Sequence, residues 1–153
     1  MKKLKFETNI NASAEEVFNT MLNKETFLQW TTEFHPSPDD TGDVEGDWKK
    51  GSKILFGDGK GSGMVSKVEE NIPNEYMSIR HLGIMKDGVE EFETADAKLW
   101  ANSFENYTLK ENDGKTEVKV DLTDASSPDE FVDFFEKTWP QAMNKVKELA
   151  ERN

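Results

Sequence analysis

His35 and His81 are the two imidazoles of this chain, and there is no cysteine. A thiolate nucleophile, a disulfide and a cysteine metal site are therefore excluded. His35 stands among prolines and reads as an exposed loop residue. His81 stands in a strand-like run and shares a face with Met77 and Ile79. An imidazole placed there could act as acid or base near neutral pH. The plainer reading is a hydrogen-bonded strand residue. Glu105 poses a similar choice. Ser103, Glu105, Tyr107 and Leu109 fall on one side of a strand, and Tyr107 and Leu109 read as core. A carboxylate on that side must be paired or take up a proton, because burial disfavours its charge. Either outcome offers a polar anchor. The alternatives are a twist or bulge that turns Glu105 to solvent, or an ion pair with Arg80.

Other motifs carry less. Asp39, Asp40, Asp43, Glu45 and Asp47 are rich in oxygen ligands. Their spacing does not fit a calcium loop, and two distant histidines give no zinc spacing, so no metal is expected. The segment Gly57-Asp58-Gly59-Lys60-Gly61-Ser62-Gly63 matches neither phosphate-binding glycine pattern. A strand follows it rather than a helix, so no helix terminus waits for an anion. It reads as a flexible hairpin turn. No G-x-S-x-G elbow marks an activated serine. The sequence therefore nominates no catalytic residue, and it points to no cofactor.

The elements that would hold these residues follow from patterning. Leu4, Phe6, Thr8 and Ile10 alternate with charged or polar neighbours, the mark of a strand with one buried face. Ser13 followed by Glu16 is a capping box, and it opens a helix carrying Val17, Phe18, Met21 and Leu22. A second short helix is expected at 24–30. Residues 34–47, with two prolines and two glycines, read as a loop. Strands are expected at 53–56, 63–70, 75–85, 101–110 and 115–122, with a short helix at 95–100 capped by Thr94. Ser127-Pro128-Asp129-Glu130 is a second capping box with proline at the first helical position. Phe131, Phe135, Trp139, Ala142, Val146 and Leu149 then form an apolar stripe. Pro140 lies inside this stripe, and a kink or break is expected there. A sheet with one apolar face must cover it, and this last helix is the one element long enough to do so. Patterning alone thus gives an α+β fold, an antiparallel sheet packed on a helix.

The 153 residues fit one domain, and no linker, repeat or low-complexity tract divides them. No stretch approaches the roughly 20 apolar residues that span a bilayer. The start Met1-Lys2-Lys3-Leu4-Lys5-Phe6 has no apolar run behind it, so no signal peptide is expected and a cytoplasmic address is the default. A net charge of −12 repels phosphate backbones, which argues against nucleic acid and anionic membranes as partners. Ten Phe and four Trp are enough both to fill a core and to line an apolar pocket.

Several segments together resemble the START-like (SRPBCC) superfamily, in particular the branch named after the activator of the heat-shock protein 90 ATPase. They are Ala12-Ser13-Ala14-Glu15-Glu16-Val17-Phe18, Trp30, Trp48 with Gly51, Gly63-Met64-Val65, Phe104-Glu105-Asn106-Tyr107-Thr108-Leu109, Thr116-Glu117-Val118, and Trp139 ahead of Lys145 and Leu149. The resemblance implies a helix-grip fold: a curved antiparallel sheet around a long C-terminal helix, with two short helices after the first strand. It also implies a cavity between sheet and helix that takes a small hydrophobic ligand. On that expectation Trp30, Trp48, Phe56, His81, Glu105, Phe131, Phe135 and Trp139 are the candidate ligand-binding residues. Two other functions are open. One is a cyclase or hydrolase using His81 and Glu105 as acid and base. The other is a chaperone-accessory interaction module. The eukaryotic-type activator has an additional N-terminal domain that these residues do not supply, so a chaperone is the weaker of the expected partners.

Overall fold

The computed structural model describes residues 2–34, 42–124 and 129–152, without the side chains of residues 2, 33, 124 and 129–131. In chain order the elements are β1 (Lys2–Ile10), α1 (Ala14–Leu22), α2 (Lys24–Trp30), a single 3-10 turn (Thr31–Phe34), β2 (Asp43–Glu45), β3 (Lys53–Gly57), β4 (Gly63–Ile72), β5 (Tyr76–Lys86), β6 (Val89–Glu91), α3 (Ala95–Trp100), β7 (Phe104–Asn112), β8 (Lys115–Asp124) and α4 (Asp129–Glu151). Among the described residues the strands form one antiparallel sheet in the order β1-β8-β7-β5-β4-β3-β2, with β6 added beside β5. With α4 packed on it, this is the helix-grip arrangement expected from the sequence.

Local chemistry explains the helices. Ser13 accepts a hydrogen bond from the Glu16 N–H at 3.2 Å, and Asn23 accepts from the Glu25 N–H at 3.0 Å. Thr94 accepts from the Ala97 N–H at 3.2 Å, as its cap position requires. The capping residues Ser127 and Pro128 lie outside the described residues.

Register decides which residues face inward, because directly opposed residues in an antiparallel pair share a face. Across the sheet, Leu4 opposes Leu122, Leu122 opposes Glu105, Glu105 opposes Ile79, and Ile79 opposes Val68. The neighbouring row runs Phe6, Val120, Tyr107 and Met77. Both rows point to the side that α1, α2 and α4 cover. The second half of α4 completes the core there. Ala142, Met143, Val146, Leu149 and Ala150 are buried with Ile10, Val17, Met21, Val118 and Val120. Each buried Val, Ile, Leu or Met side chain among these contributes about 1.5–3 kcal/mol through burial.

Three details differ from the sequence expectation. First, α4 runs through Pro140 without a break. Pro140 and Glu136 are exposed, so the carbonyl that loses its partner can reach solvent. Second, residues 101–103 are not strand. Asn102 takes a left-handed φ of 67°, and its turn bonds β5 instead, with Asn102 N–H donating to the His81 carbonyl at 2.8 Å. Third, β2 and β6 are strands of three residues each, too short to show a period. Among the described residues no helix is long and apolar enough to cross a membrane.

Candidate functional site

Between the sheet and the first half of α4 lies a cavity of about 340 Å³. Its walls are largely aromatic. Phe27, Trp48 and Phe56 form one cluster, with ring centroids 5.7 to 5.9 Å apart. Trp30 meets Phe27 edge-on at 5.3 Å and joins this cluster to a second, in which Phe34 meets Trp139 edge-on at 4.9 Å and Trp30 meets Trp139 at 6.1 Å. Trp100, Phe135 and Phe134 form a third, so that α3 and α4 touch through Trp100 and Phe135 at 6.2 Å. Leu4, Met64, Ile79 and Leu122 supply the sheet side.

A chain of polar groups crosses this sheet side. Ser66 Oγ lies 2.7 Å from His81 Nδ1, and His81 Nε2 lies 3.0 Å from Glu105 Oε1. The Tyr107 hydroxyl donates to Glu105 Oε2 at 2.7 Å. With Nε2 protonated and Nδ1 bare, every step has a donor and an acceptor: Ser66 to His81, His81 to Glu105, Tyr107 to Glu105. Three features of the backbone build the chain. Glu105 and Tyr107 are two apart on β7 and so share a face. A β-bulge lies between His81 and Gly83: Val65 opposes Gly83, but Ser66 opposes His81, leaving Leu82 as the extra residue. An unbroken ladder would have set Lys67 opposite His81. The 101–103 turn then fixes His81, whose own N–H donates to the Ser103 carbonyl at 2.9 Å.

Burial and partners set the electrostatics. Burial pushes the Glu105 carboxyl up, but the His81 hydrogen bond, the charge of His81 when it is protonated, and the Tyr107 hydroxyl outweigh it. The net effect holds Glu105 below the usual glutamate range. Burial, then the Glu105 charge, pushes the Tyr107 hydroxyl well above its ordinary value, so it remains a donor. Ser66 is fully buried and His81 is 5% exposed. The Glu105 side chain keeps 25% exposure and borders the cavity. The order Ser–His–carboxylate has the residue types of a hydrolytic triad with the direction reversed. The hydroxyl is sealed beneath the imidazole, and the carboxylate is what a molecule in the cavity would meet.

Trp30, Trp48, Phe56, His81, Glu105, Phe135 and Trp139 all border this cavity. Phe131 lies in α4, but its side chain is outside the described residues, as is His35. Arg80 does not pair with Glu105. It bonds Glu69 at 3.3 Å, through residues displaced from the inward row. Sequence reasoning missed Ser66, Tyr107 as a donor, Phe27 and Phe34. Tyr107 was within reach, since its spacing from Glu105 is that of neighbours on one strand face. Ser66 was not, because it depends on the bulge. Trp48 carries a further surprise: its φ is 62°, a left-handed value that is rare for a bulky residue. Its carbonyl is held by the Asn71 side-chain amide at 2.8 Å. Among the described residues no group of three or more potential metal ligands comes together.

The comparisons with known proteins agree with this architecture. A family model described as activator of Hsp90 ATPase homolog 1-like protein matches residues 11–151. Solved structures share the fold at low identity. The Aha1 dimer from Colwellia psychrerythraea matches at TM-score 0.72 and 18% identity, covering 99% of this chain and 97% of that one. A protein from Mesorhizobium loti matches at TM-score 0.73 and 15% identity, with 99% and 98% covered. A protein of the dynemicin biosynthetic locus matches at TM-score 0.71 and 15% identity, with 99% of this chain and 48% of that one covered. No curated protein sequence matches the chain.

Proposed function

The chain belongs to the family of activator of Hsp90 ATPase homolog 1-like proteins, and from that premise we propose that it holds a small, mostly apolar molecule between its sheet and the first half of α4. The observation that carries this reading is the cavity of about 340 Å³, walled by three aromatic clusters and crossed on one side by a satisfied polar chain. That volume falls at the small end of the range for ligand pockets, roughly 300–1,000 Å³. A ligand burying ~300 Å² of apolar surface would gain about 7–8 kcal/mol before the costs of association. Those costs are several kcal/mol, which leaves about micromolar affinity or weaker.

A second reading, acid–base catalysis of the cyclase or hydrolase kind, starts from the contact between His81 and Glu105. Two features weigh against it. A general base works best with a pKa near the working pH, and Glu105 is shifted the other way. The one hydroxyl in line with the imidazole is sealed from the cavity. The pair suits an anchor better than a catalyst.

Thermal-shift measurements with neutral apolar compounds test the binding reading. The wild type should be stabilised by some of them. The variant Met64→Trp, which fills the cavity from β4, should lose that response while keeping its circular dichroism spectrum. An equal response in both proteins places the binding elsewhere and removes this reading.

A further inference from the structure

Which polar end a ligand would carry is written in the hydrogen bonds of the cavity lining. The donors there are largely committed. The Tyr107 hydroxyl donates to Glu105, the Thr31 hydroxyl to the Phe27 carbonyl at 2.6 Å, and the Ser103 hydroxyl to the Trp100 carbonyl at 2.5 Å. The Trp30 indole N–H donates to the Met21 carbonyl at 3.2 Å, and His81 Nε2 is engaged with Glu105. Acceptors remain. A carboxylate offers about four lone-pair sites, and protein groups occupy two of those on Glu105. Asp43 adds a second carboxylate to the lining, bonded at 3.1 Å to the exposed Lys24. Among the described residues no Lys or Arg borders the cavity. The Thr123 hydroxyl and the indoles of Trp48 and Trp139, which also border the cavity, are neutral donors and cannot offset an anion's charge.

We propose that the cavity selects ligands whose polar end donates hydrogen bonds, a hydroxyl or a protonated amine seated on Glu105, and rejects carboxylates and phosphates. The inference rests on the binding reading of the same site. A hydroxyl needs one acceptor of the right kind, and Glu105 is already oriented from behind by His81 and Tyr107. A protonated amine gains the same contact, and its charge also sits well against aromatic faces. An anion finds no cation to pair with and meets a carboxylate that is already ionised. An unpaired charge taken from water into such a place is strongly disfavoured.

Four probes on one ring system test this at pH 7: naphthalene, 2-naphthol, 2-naphthylmethylamine and 2-naphthoate, each titrated into the full chain by tryptophan quenching. Naphthol and the amine should bind at least about tenfold tighter than naphthoate, the scale of a hydrogen bond to a charged group. The order of those two tells a neutral hydroxyl from a cationic head, and either order supports the proposal. In Glu105→Gln the advantage over naphthoate should shrink severalfold; an undiminished advantage overturns the proposal. If that variant folds poorly, the wild-type ratio repeated at 0.5 M ionic strength, where surface charges are largely screened, decides the matter. Naphthoate binding as tightly as naphthol overturns the proposal while leaving the cavity a binding site. Failure of all four probes, naphthalene included, removes the binding reading itself.

Discussion

At the scale of single residues, Glu105 shows how a charge survives between apolar walls. Its two oxygens are both held, by His81 and by Tyr107. The sign of its effect on stability follows from the direction of its shift. In the unfolded chain a glutamate titrates near 4.5 and in the folded chain lower, so between the two values the unfolded state binds more protons. Its stabilisation is therefore complete above about pH 5 and lost as pH falls through the folded value. Replacing Glu105 by Gln should cost roughly 1–3 kcal/mol at pH 7, the scale of hydrogen bonds to a charged group. The gap between wild type and variant, followed by urea unfolding, should close as pH falls below about 4. A gap that stays constant from pH 7 to pH 3 would contradict an ionised anchor. Trp48 makes a separate prediction from its φ of 62°. Trp48→Ala and Trp48→Gly both remove the indole, but only glycine adopts this backbone without strain. The glycine variant should be the more stable by about 1 kcal/mol, the reverse of the usual order. The same urea titrations decide it, and alanine ahead of glycine would argue against the left-handed turn.

At the scale of elements, α4 has two halves with different duties. Val132, Phe134, Phe135 and Trp139 border the cavity, while Ala142, Met143, Val146 and Leu149 fill the core. Pro140 stands at the junction, where one helical hydrogen bond is missing. Amide exchange should therefore be faster over residues 132–139 than over 142–149, because local opening follows the density of buried contacts. Pro140→Ala should slow exchange in the first half and stabilise the protein by about 1–3 kcal/mol. Uniform exchange along the helix would remove the division. Much of this arrangement was legible in the sequence. Strict alternation from Thr116 to Leu122 and capping at Ser13 and Thr94 are signals held within a few residues, and they place β8, α1 and α3. What was not legible depends on contacts between strands. The bulge at Leu82 exists because β4 and β5 fall out of step part-way along their pairing, and no pattern within either strand announces it. The polar chain inherits that limit: Glu105 and His81 could be nominated, but Ser66 could not. Gly83 belongs to the same class. A side chain there would strike the Glu91 carbonyl on β6, a strand whose three residues carry no period.

At the scale of the whole molecule, 31 acidic and 19 basic side chains raise a question about ligand choice that no single residue answers. A net charge of −12 also repels anions, so a preference for amines over carboxylates could arise from the overall field rather than from Glu105. Salt separates the two causes. At 0.5 M ionic strength the Debye length is about 4 Å, so charges spread over the surface are largely screened. A contact with a carboxylate inside the cavity is screened much less. Two results should then coincide as sodium chloride rises from 0.02 to 0.5 M. The thermal midpoint should increase, because self-repulsion of the acidic surface is relieved. The tightening of 2-naphthol and 2-naphthylmethylamine over 2-naphthoate should persist at about tenfold. If the discrimination fades in step with the rise in midpoint, the surface field is its source and Glu105 is not. If it persists while the midpoint climbs, the selectivity is local, and it belongs to the carboxylate that His81 and Tyr107 hold in the cavity wall.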